Sequence, residues 1–213
     1  MSSRTPEELI SELDEGLAWR KKELSALRFA VKTSLDADQP FLIRAAIALV
    51  YAHWEGYVKD TATRYLKFVS MRRLPYSELA LPFAALGIRN EASRLVNSID
   101  PSEYIGAYRD FVEKQRGQSI LPGVNVIDTG ANLNYKRFRR ILATVGIDCK
   151  RYDTREAMID ERLLRSRNNI AHGGLVQPDL ADYEELTSAV TEMLTAVKDQ
   201  VADAVAEKAY RRA

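Results

Sequence analysis

Apolar residues recur at helical spacing along most of the chain. The first series follows a capping box from Thr5 to Glu8, with proline at the first helical position. A second series begins near Pro40 and continues for about 30 residues, or about 45 Å of helix. Similar starts follow Asp100 and Asp179. The pattern predicts long amphipathic helices and an all-α fold.

Glycine and proline divide the middle of the chain. The segment from Gly117 to Gly130 reads as a loop, and helix is predicted again from Leu133 to Gly146 and from Thr154 to His172. We therefore expect a single domain over residues 1–213. Its core is predicted to be a bundle of four long helices, with residues 72–150 inserted between the second and third as shorter helices and a loop.

Composition narrows the functional classes. Apolar residues make up 46% of the chain and charged residues 29%, and the net charge is +1, so RNA binding would require a local basic patch. The single Cys149 suits a reducing cytoplasm. The sequence contains no credible set of zinc ligands, no segment with the pattern of a signal peptide and no apolar run long enough to span a membrane. We expect a cytoplasmic protein with no metal site, no cofactor and no membrane partner.

The most informative stretch is R-S-R-N-N-I-A-H-G-G, from Arg165 to Gly174. Four residues separate Arg167 from His172, one of only two histidines, and Asn168 directly follows the arginine. Such a set can position a phosphodiester and move protons near neutral pH. The structural alternative is an ordinary helix C-terminus, in which Gly173 ends the helix and the histidine favours the helix dipole.

This stretch resembles the R-x4-6-H motif of the HEPN superfamily (higher eukaryotes and prokaryotes nucleotide-binding). Two further segments, Tyr51–Lys59 and Ala131–Phe138, resemble the MAE-type HEPN nucleases and occur in the expected order. The resemblance implies a HEPN-like bundle and a metal-independent endoribonuclease. In such an enzyme Arg167, Asn168 and His172 would act on an RNA phosphate, and the products would be a 2′,3′-cyclic phosphate and a 5′-hydroxyl.

Arg167 is predicted to lie on a buried stripe, four residues after Leu163 and three before Ile170. A buried guanidinium needs an acidic partner. The resemblance implies that Glu55, on the second helix, contacts the motif arginine and belongs to the catalytic set. The alternative is a solvated Glu55–Lys59 pair one turn apart.

On one continuous helix, Arg167 and His172 point about 140° apart. Either the helix ends before His172, or one active site draws on two chains. HEPN ribonucleases are typically dimers with both motifs along one cleft, so the resemblance favours a homodimer with a two-fold axis near the motif helices.

Other residues admit simpler interpretations. Lys136, Arg137, Arg139 and Arg140 place four cations within five positions, which indicates either a solvated helix face or a rim that binds RNA phosphates. His53 is expected to be structural or superficial.

The sequence supports three hypotheses. The first is a HEPN endoribonuclease, a toxin or phage-defence effector controlled by an antitoxin or other regulatory protein. The second is a non-catalytic HEPN module that binds a partner protein or a nucleotide. A plain helical scaffold is the third, and it leaves the placement of Arg167 without a reason.

Overall fold

A computed structural model describes residues 3–97, 100–115, 117–123, 126–175 and 178–212. The α-helices are α1 (Pro6–Lys32), α2 (Gln39–Met71), α3 (Leu81–Gly87), α4 (Arg89–Asn97), α5 (Pro101–Gln115), α6 (Tyr135–Thr144), α7 (Arg165–Ala171) and α8 (Leu180–Ala206). Within the described ranges there is no β-strand, only isolated bridges. The all-α prediction is confirmed.

Side-chain caps mark the starts of α1, α6 and α8. The Thr5 hydroxyl accepts the N–H of Glu8, and the Glu8 side chain returns to the Thr5 backbone, which is the predicted capping box. Asp179 caps α8 by accepting the N–H of Asp182 over 2.8 Å. Asn134 likewise starts α6. These bonds satisfy backbone donors that the first helical turn leaves free.

The core lies between the three longest helices, α1, α2 and α8, which pack against one another. Trp54 of α2 is fully buried, and its ring lies 4.7 Å from that of Phe138 on α6. The short helix α6 therefore extends the core, although it belongs to the segment predicted as an insertion. Helices α4 and α5 pack mainly on each other.

The helix that carries the Arg167 motif differs from the prediction. Helix is present as predicted from Thr154 up to Ala171, but it is not a regular α-helix, because the chain passes through a 3₁₀ segment (Lys150–Arg155) and a π-helical segment (Met158–Leu164) before α7 begins. Apolar spacing reports which residues are buried, not which hydrogen-bond ladder they use, so Ile159 and Leu163 are buried as expected in a wider helix.

Within the described part of the chain, none of the helices combines the length and the apolar character needed to cross a membrane.

Candidate active site around Arg167

The guanidinium of Arg167 is partly buried and is held by three side chains, Tyr51, Asn132 and Asn168, which together form the Arg167 seat. It lies over the ring of Tyr51, 4.6 Å from the ring centroid. Its Nη1 donates to the side-chain oxygens of Asn132, over 2.5 Å, and of Asn168, over 2.7 Å. Both hydrogen bonds use the same nitrogen, and no described residue hydrogen-bonds to Nη2 or Nε. The guanidinium is thus held in place while donors remain for an anionic ligand.

Tyr51 forms the floor of this seat. It is buried in α2, and its hydroxyl accepts the N–H of Leu133 over 2.6 Å. Burial raises the pKa of Tyr51 to about 12, with the Leu133 N–H opposing the rise and the nearby carboxylate of Glu55 adding to it. The phenol therefore stays protonated at neutral pH and supports Arg167 as a ring rather than as an anion.

The predicted ion pair between Arg167 and Glu55 is wrong. Across the described residues neither this pair nor the alternative Glu55–Lys59 pair is formed. The Tyr51 ring lies against the guanidinium, and neutral amide oxygens satisfy Nη1. Glu55, partly buried one turn along α2, instead lies beside the Tyr51 hydroxyl. Aromatic and amide contacts thus replace the expected acid.

Asn132 reaches Arg167 because a tight turn precedes α6. Arg137 donates from Nη1 to the carbonyls of Thr129, over 3.2 Å, and of Asn132, over 2.9 Å. Gly130 has φ +60°, and a Cβ there would lie 2.0 Å from Arg137 Nη1, so the turn requires glycine. Asp128 closes it by accepting the Gly130 N–H.

The sequence prediction did not include Asn132 or Tyr51 in the site. Both lie within the two segments that resemble MAE-type nucleases. The resemblance pointed to these segments but assigned no role to the two side chains. In a sequence, an asparagine just before a predicted helix normally indicates a turn or a helix cap. Only the fold brings Asn132 against an arginine 35 residues later.

His172 is the residue that follows α7, and it is exposed. The helix ends in a Schellman arrangement: Gly174 N–H donates to Asn169 C=O over 2.7 Å, Gly173 N–H donates to Ile170 C=O over 3.1 Å, and Gly173 has φ +75°. The last residue of α7 is Ala171, and the N–H of His172 still donates to the Asn168 carbonyl over 3.0 Å, so His172 continues the helical path for one more residue.

The turn after His172 is also fixed to the bundle. Arg44 of α2 donates from Nη2 to the Gly174 carbonyl over 3.1 Å. A Cβ at Gly174 would lie 2.9 Å from the Asn169 carbonyl oxygen, so this second glycine is required by close packing. The backbone of His172 is therefore held while its side chain faces solvent.

The four cations of α6 do not form one patch. Lys136, Arg139 and Arg140 are exposed, whereas Arg137 is partly buried and bound to the turn. The guanidinium of Arg139 lies over the Tyr135 ring, 5.7 Å from its centroid. The cluster is therefore partly structural, and the prediction that it binds RNA phosphates is untested.

His53 lies apart from this site, on the side of α2 that packs against α1. It is buried, its Nε2 is 3.0 Å from a Glu23 carboxylate oxygen, and its ring meets Trp19 edge-on at 5.3 Å. Burial lowers the pKa of His53, and the Glu23 charge opposes that shift. This is the structural placement that was expected.

Comparison with known proteins gives one match. The model of the family described as HEPN_MAE_28990-like HEPN matches residues 9–210. No curated protein and no solved structure matches. The family match runs from the first turn of α1 past the end of α8 and includes both Asn132 and the Arg167–His172 motif.

Proposed function

We propose a function on one premise: the chain belongs to the HEPN_MAE_28990-like HEPN family. The proposed function is that of a metal-independent endoribonuclease. The observation that carries the proposal is the seat of Arg167, which fixes one guanidinium nitrogen and leaves the others open, five positions before an exposed histidine. A purely structural arginine would be expected to use its donors inside the protein.

The proposed reaction is transesterification within RNA. The 2′-hydroxyl oxygen attacks the adjacent phosphorus, and its proton passes to a His172 imidazole. The P–O5′ bond then breaks, and the departing 5′-oxygen receives a proton from an imidazolium. The products are a 2′,3′-cyclic phosphate and a 5′-hydroxyl. DNA lacks the 2′-hydroxyl and should not be cleaved.

Arg167 would stabilise the charge on the pentacoordinate phosphorus with its free donors. The structure suggests a changed role for Asn168: its oxygen accepts from Arg167, so it orients the arginine, and its NH₂ group can still donate to a phosphate oxygen. Glu55 would act indirectly, beside the Tyr51 hydroxyl that supports the arginine.

A homodimer would let Arg167 of one protomer and His172 of its partner act on the same phosphate. Support comes from a face of α2 beside Tyr51, where Phe41, Ala45, Leu49 and Ala52 are exposed at helical spacing. Leu175, after the motif, is 78% exposed. Contiguous exposed apolar side chains mark protein interfaces. A second copy on this face would place its motif in the same cleft.

The proposed biological role is that of a cytoplasmic toxin or phage-defence effector, restrained by an antitoxin or other regulatory protein. Wild-type expression should slow host growth, and expression of His172→Ala should not. Equal growth of the two strains, at matched protein levels, would contradict the toxin role without bearing on RNA cleavage in vitro.

The decisive experiment incubates purified protein with total RNA in EDTA and identifies the new ends. Cleavage should persist and leave 2′,3′-cyclic phosphates. It should be lost in His172→Ala and badly impaired in Arg167→Lys, because an ammonium lacks the planar fork. Arg165→Lys is the matched control: Arg165 is exposed on the same helix and pairs with Glu161, so activity should be unchanged. A strict Mg²⁺ requirement, or cleavage by His172→Ala, would overturn the mechanism.

The second candidate is a non-catalytic module that binds a partner protein. The observation in its favour is the exposed aromatic face of α5, where Tyr104 and Tyr108 are 51% and 57% exposed. Absence of cleavage of any RNA, together with stable capture of a partner that Tyr108→Ala abolishes, would favour this function.

A further inference from the structure

A groove of about 1010 Å³ lies between α3 and α6. Three arginines line it, Arg89, Arg137 and Arg140, together with one acid, Asp128. The apolar part of the lining includes Pro82, Leu86, Val126 and Ile141. The groove therefore combines an apolar floor with cationic walls, as an anionic and partly apolar ligand requires.

Two of these arginines carry charge that the protein does not neutralise. Arg89 and Arg140 are exposed, and across the described residues neither side chain has an ion-pair or hydrogen-bond partner. By contrast, Arg94 and Arg162 are paired with the acids Asp110 and Glu185. Because the net charge of the chain is only +1, such a local concentration of free guanidinium groups is the place where an anion would bind.

The third arginine connects the groove with the Arg167 seat. Arg137 binds the carbonyl of Asn132, and the side chain of Asn132 binds Arg167. Asp128, the acid of the groove, is bound to the Gly130 N–H over 2.7 Å and so belongs to the same turn. The groove and the Arg167 seat are therefore bonded to the same turn, residues 128–132.

We propose that this groove binds the sugar–phosphate backbone of the RNA strand beside the scissile bond. The proposal rests on the proposed function and extends it by identifying where the RNA strand next to the scissile bond is bound. Guanidinium forks match phosphate oxygens, and the apolar floor can carry ribose or base faces. The Asp128 carboxylate would repel phosphates, which directs them toward the walls at Arg89 and Arg140. The expected recognition is of the backbone rather than of sequence.

The test measures binding separately from cleavage. In a His172→Ala background, which cannot cleave, the affinity for a fluorescein-labelled single-stranded oligouridine is measured by anisotropy across a salt series. Arg89→Glu and Arg140→Glu should each weaken binding by about tenfold at low salt, and each should reduce the slope of log affinity against log salt by about 0.7. Arg109→Glu, the same charge change at an exposed arginine of α5 outside the groove, should change neither quantity.

The outcomes separate the groove from the reaction. Equal binding by Arg89→Glu, Arg140→Glu and Arg109→Glu, or no RNA binding at all, would overturn the groove assignment. If the active chain cleaves RNA with an unchanged KM in both groove variants, the function stands and the groove does not. Groove-dependent binding by a chain that never cleaves would contradict the reaction and support the groove. Circular dichroism of each variant confirms that the fold is intact.

Discussion

Nη1 of Arg167 donates to the side-chain oxygen of Asn132 over 2.5 Å, and the two residues are 35 positions apart in the chain. The bond joins the motif helix to the turn before α6. That turn is itself bound to α2, through Leu133 and the Tyr51 hydroxyl. The direction of the motif arginine is therefore set by a segment outside the motif, and it should be sensitive to substitutions there.

Asn132→Ala should lower kcat for RNA cleavage while changing KM much less. A hydrogen bond to a charged group contributes about 1.5–3 kcal/mol, so a loss felt mainly in the transition state is about tenfold to a hundredfold. Asn132→Asp retains an acceptor for Arg167 and should keep more of the rate. Steady-state kinetics on both variants checks this. Wild-type kcat in Asn132→Ala would show that the bond does not orient the arginine.

Gly130 and Arg137 should behave as a coupled pair. Gly130→Ala places a methyl group on Arg137 Nη1 and requires a positive φ, so we expect a loss of about 1–3 kcal/mol of unfolding free energy and lower activity. Arg137→Ala should also destabilise, because two carbonyls lose their donor.

The double variant distinguishes this steric relationship from two independent defects. Removing the Arg137 side chain also removes the clash, so Gly130→Ala should cost less in the Arg137→Ala background, by about 0.5 kcal/mol or more. Urea denaturation of the four proteins measures the coupling. If the losses of unfolding free energy in the two single variants simply add in the double variant, the Arg137 guanidinium and residue 130 are not in steric contact.

The sequence predicted the parts of this protein that depend on local chemistry. Capping residues located the starts of α1 and α8, and Gly173 located the end of α7. It did not predict the π-helical segment, because burial of Ile159 and Leu163 is compatible with more than one helical ladder. Nor did it predict the partner of Arg167, since burial demands a partner without saying whether an acid, an amide or a ring will provide it.

Glu55 should contribute little to stability through charge. No ion pair joins it to Arg167 or Lys59 across the described chain, so Glu55→Gln should change the free energy of unfolding by less than about 1 kcal/mol. Denaturation by urea at neutral pH provides the measurement. Asp60→Asn, which removes a carboxylate that does pair with Arg64, is the control in the same helix. A large loss specific to Glu55→Gln would restore the ion-pair interpretation.

Acidification should destabilise the fold through His53. Burial lowers its pKa from the ordinary 6.5, so the unfolded chain binds the proton more readily than the folded chain. The stabilising contribution is thus complete above pH 6.5 and is lost as the pH falls through that value toward the folded pKa. The melting temperature should drop between pH 7.5 and 5.5, and the drop should shrink in His53→Gln.

The other histidine is the control for that measurement. His172→Gln replaces the exposed histidine and is melted over the same pH range beside the wild type and His53→Gln. Since the chain has two histidines, the pair of variants accounts for both. An equal drop in the wild type and His53→Gln would assign the acid sensitivity to groups other than this buried imidazole.

Mixing two inactive variants should restore activity if the site is shared between protomers. Arg167→Ala and His172→Ala each remove one component of the motif. In a mixed dimer the cleft would still hold one arginine and one histidine, on different chains, so cleavage should reappear after co-refolding and rise with the fraction of mixed dimers. Light scattering should report a dimer, and Leu49→Asp, on the exposed face of α2, should weaken both the dimer and the restored activity. A fully active monomer, or mixtures as inactive as their components, would place the whole reaction within one chain.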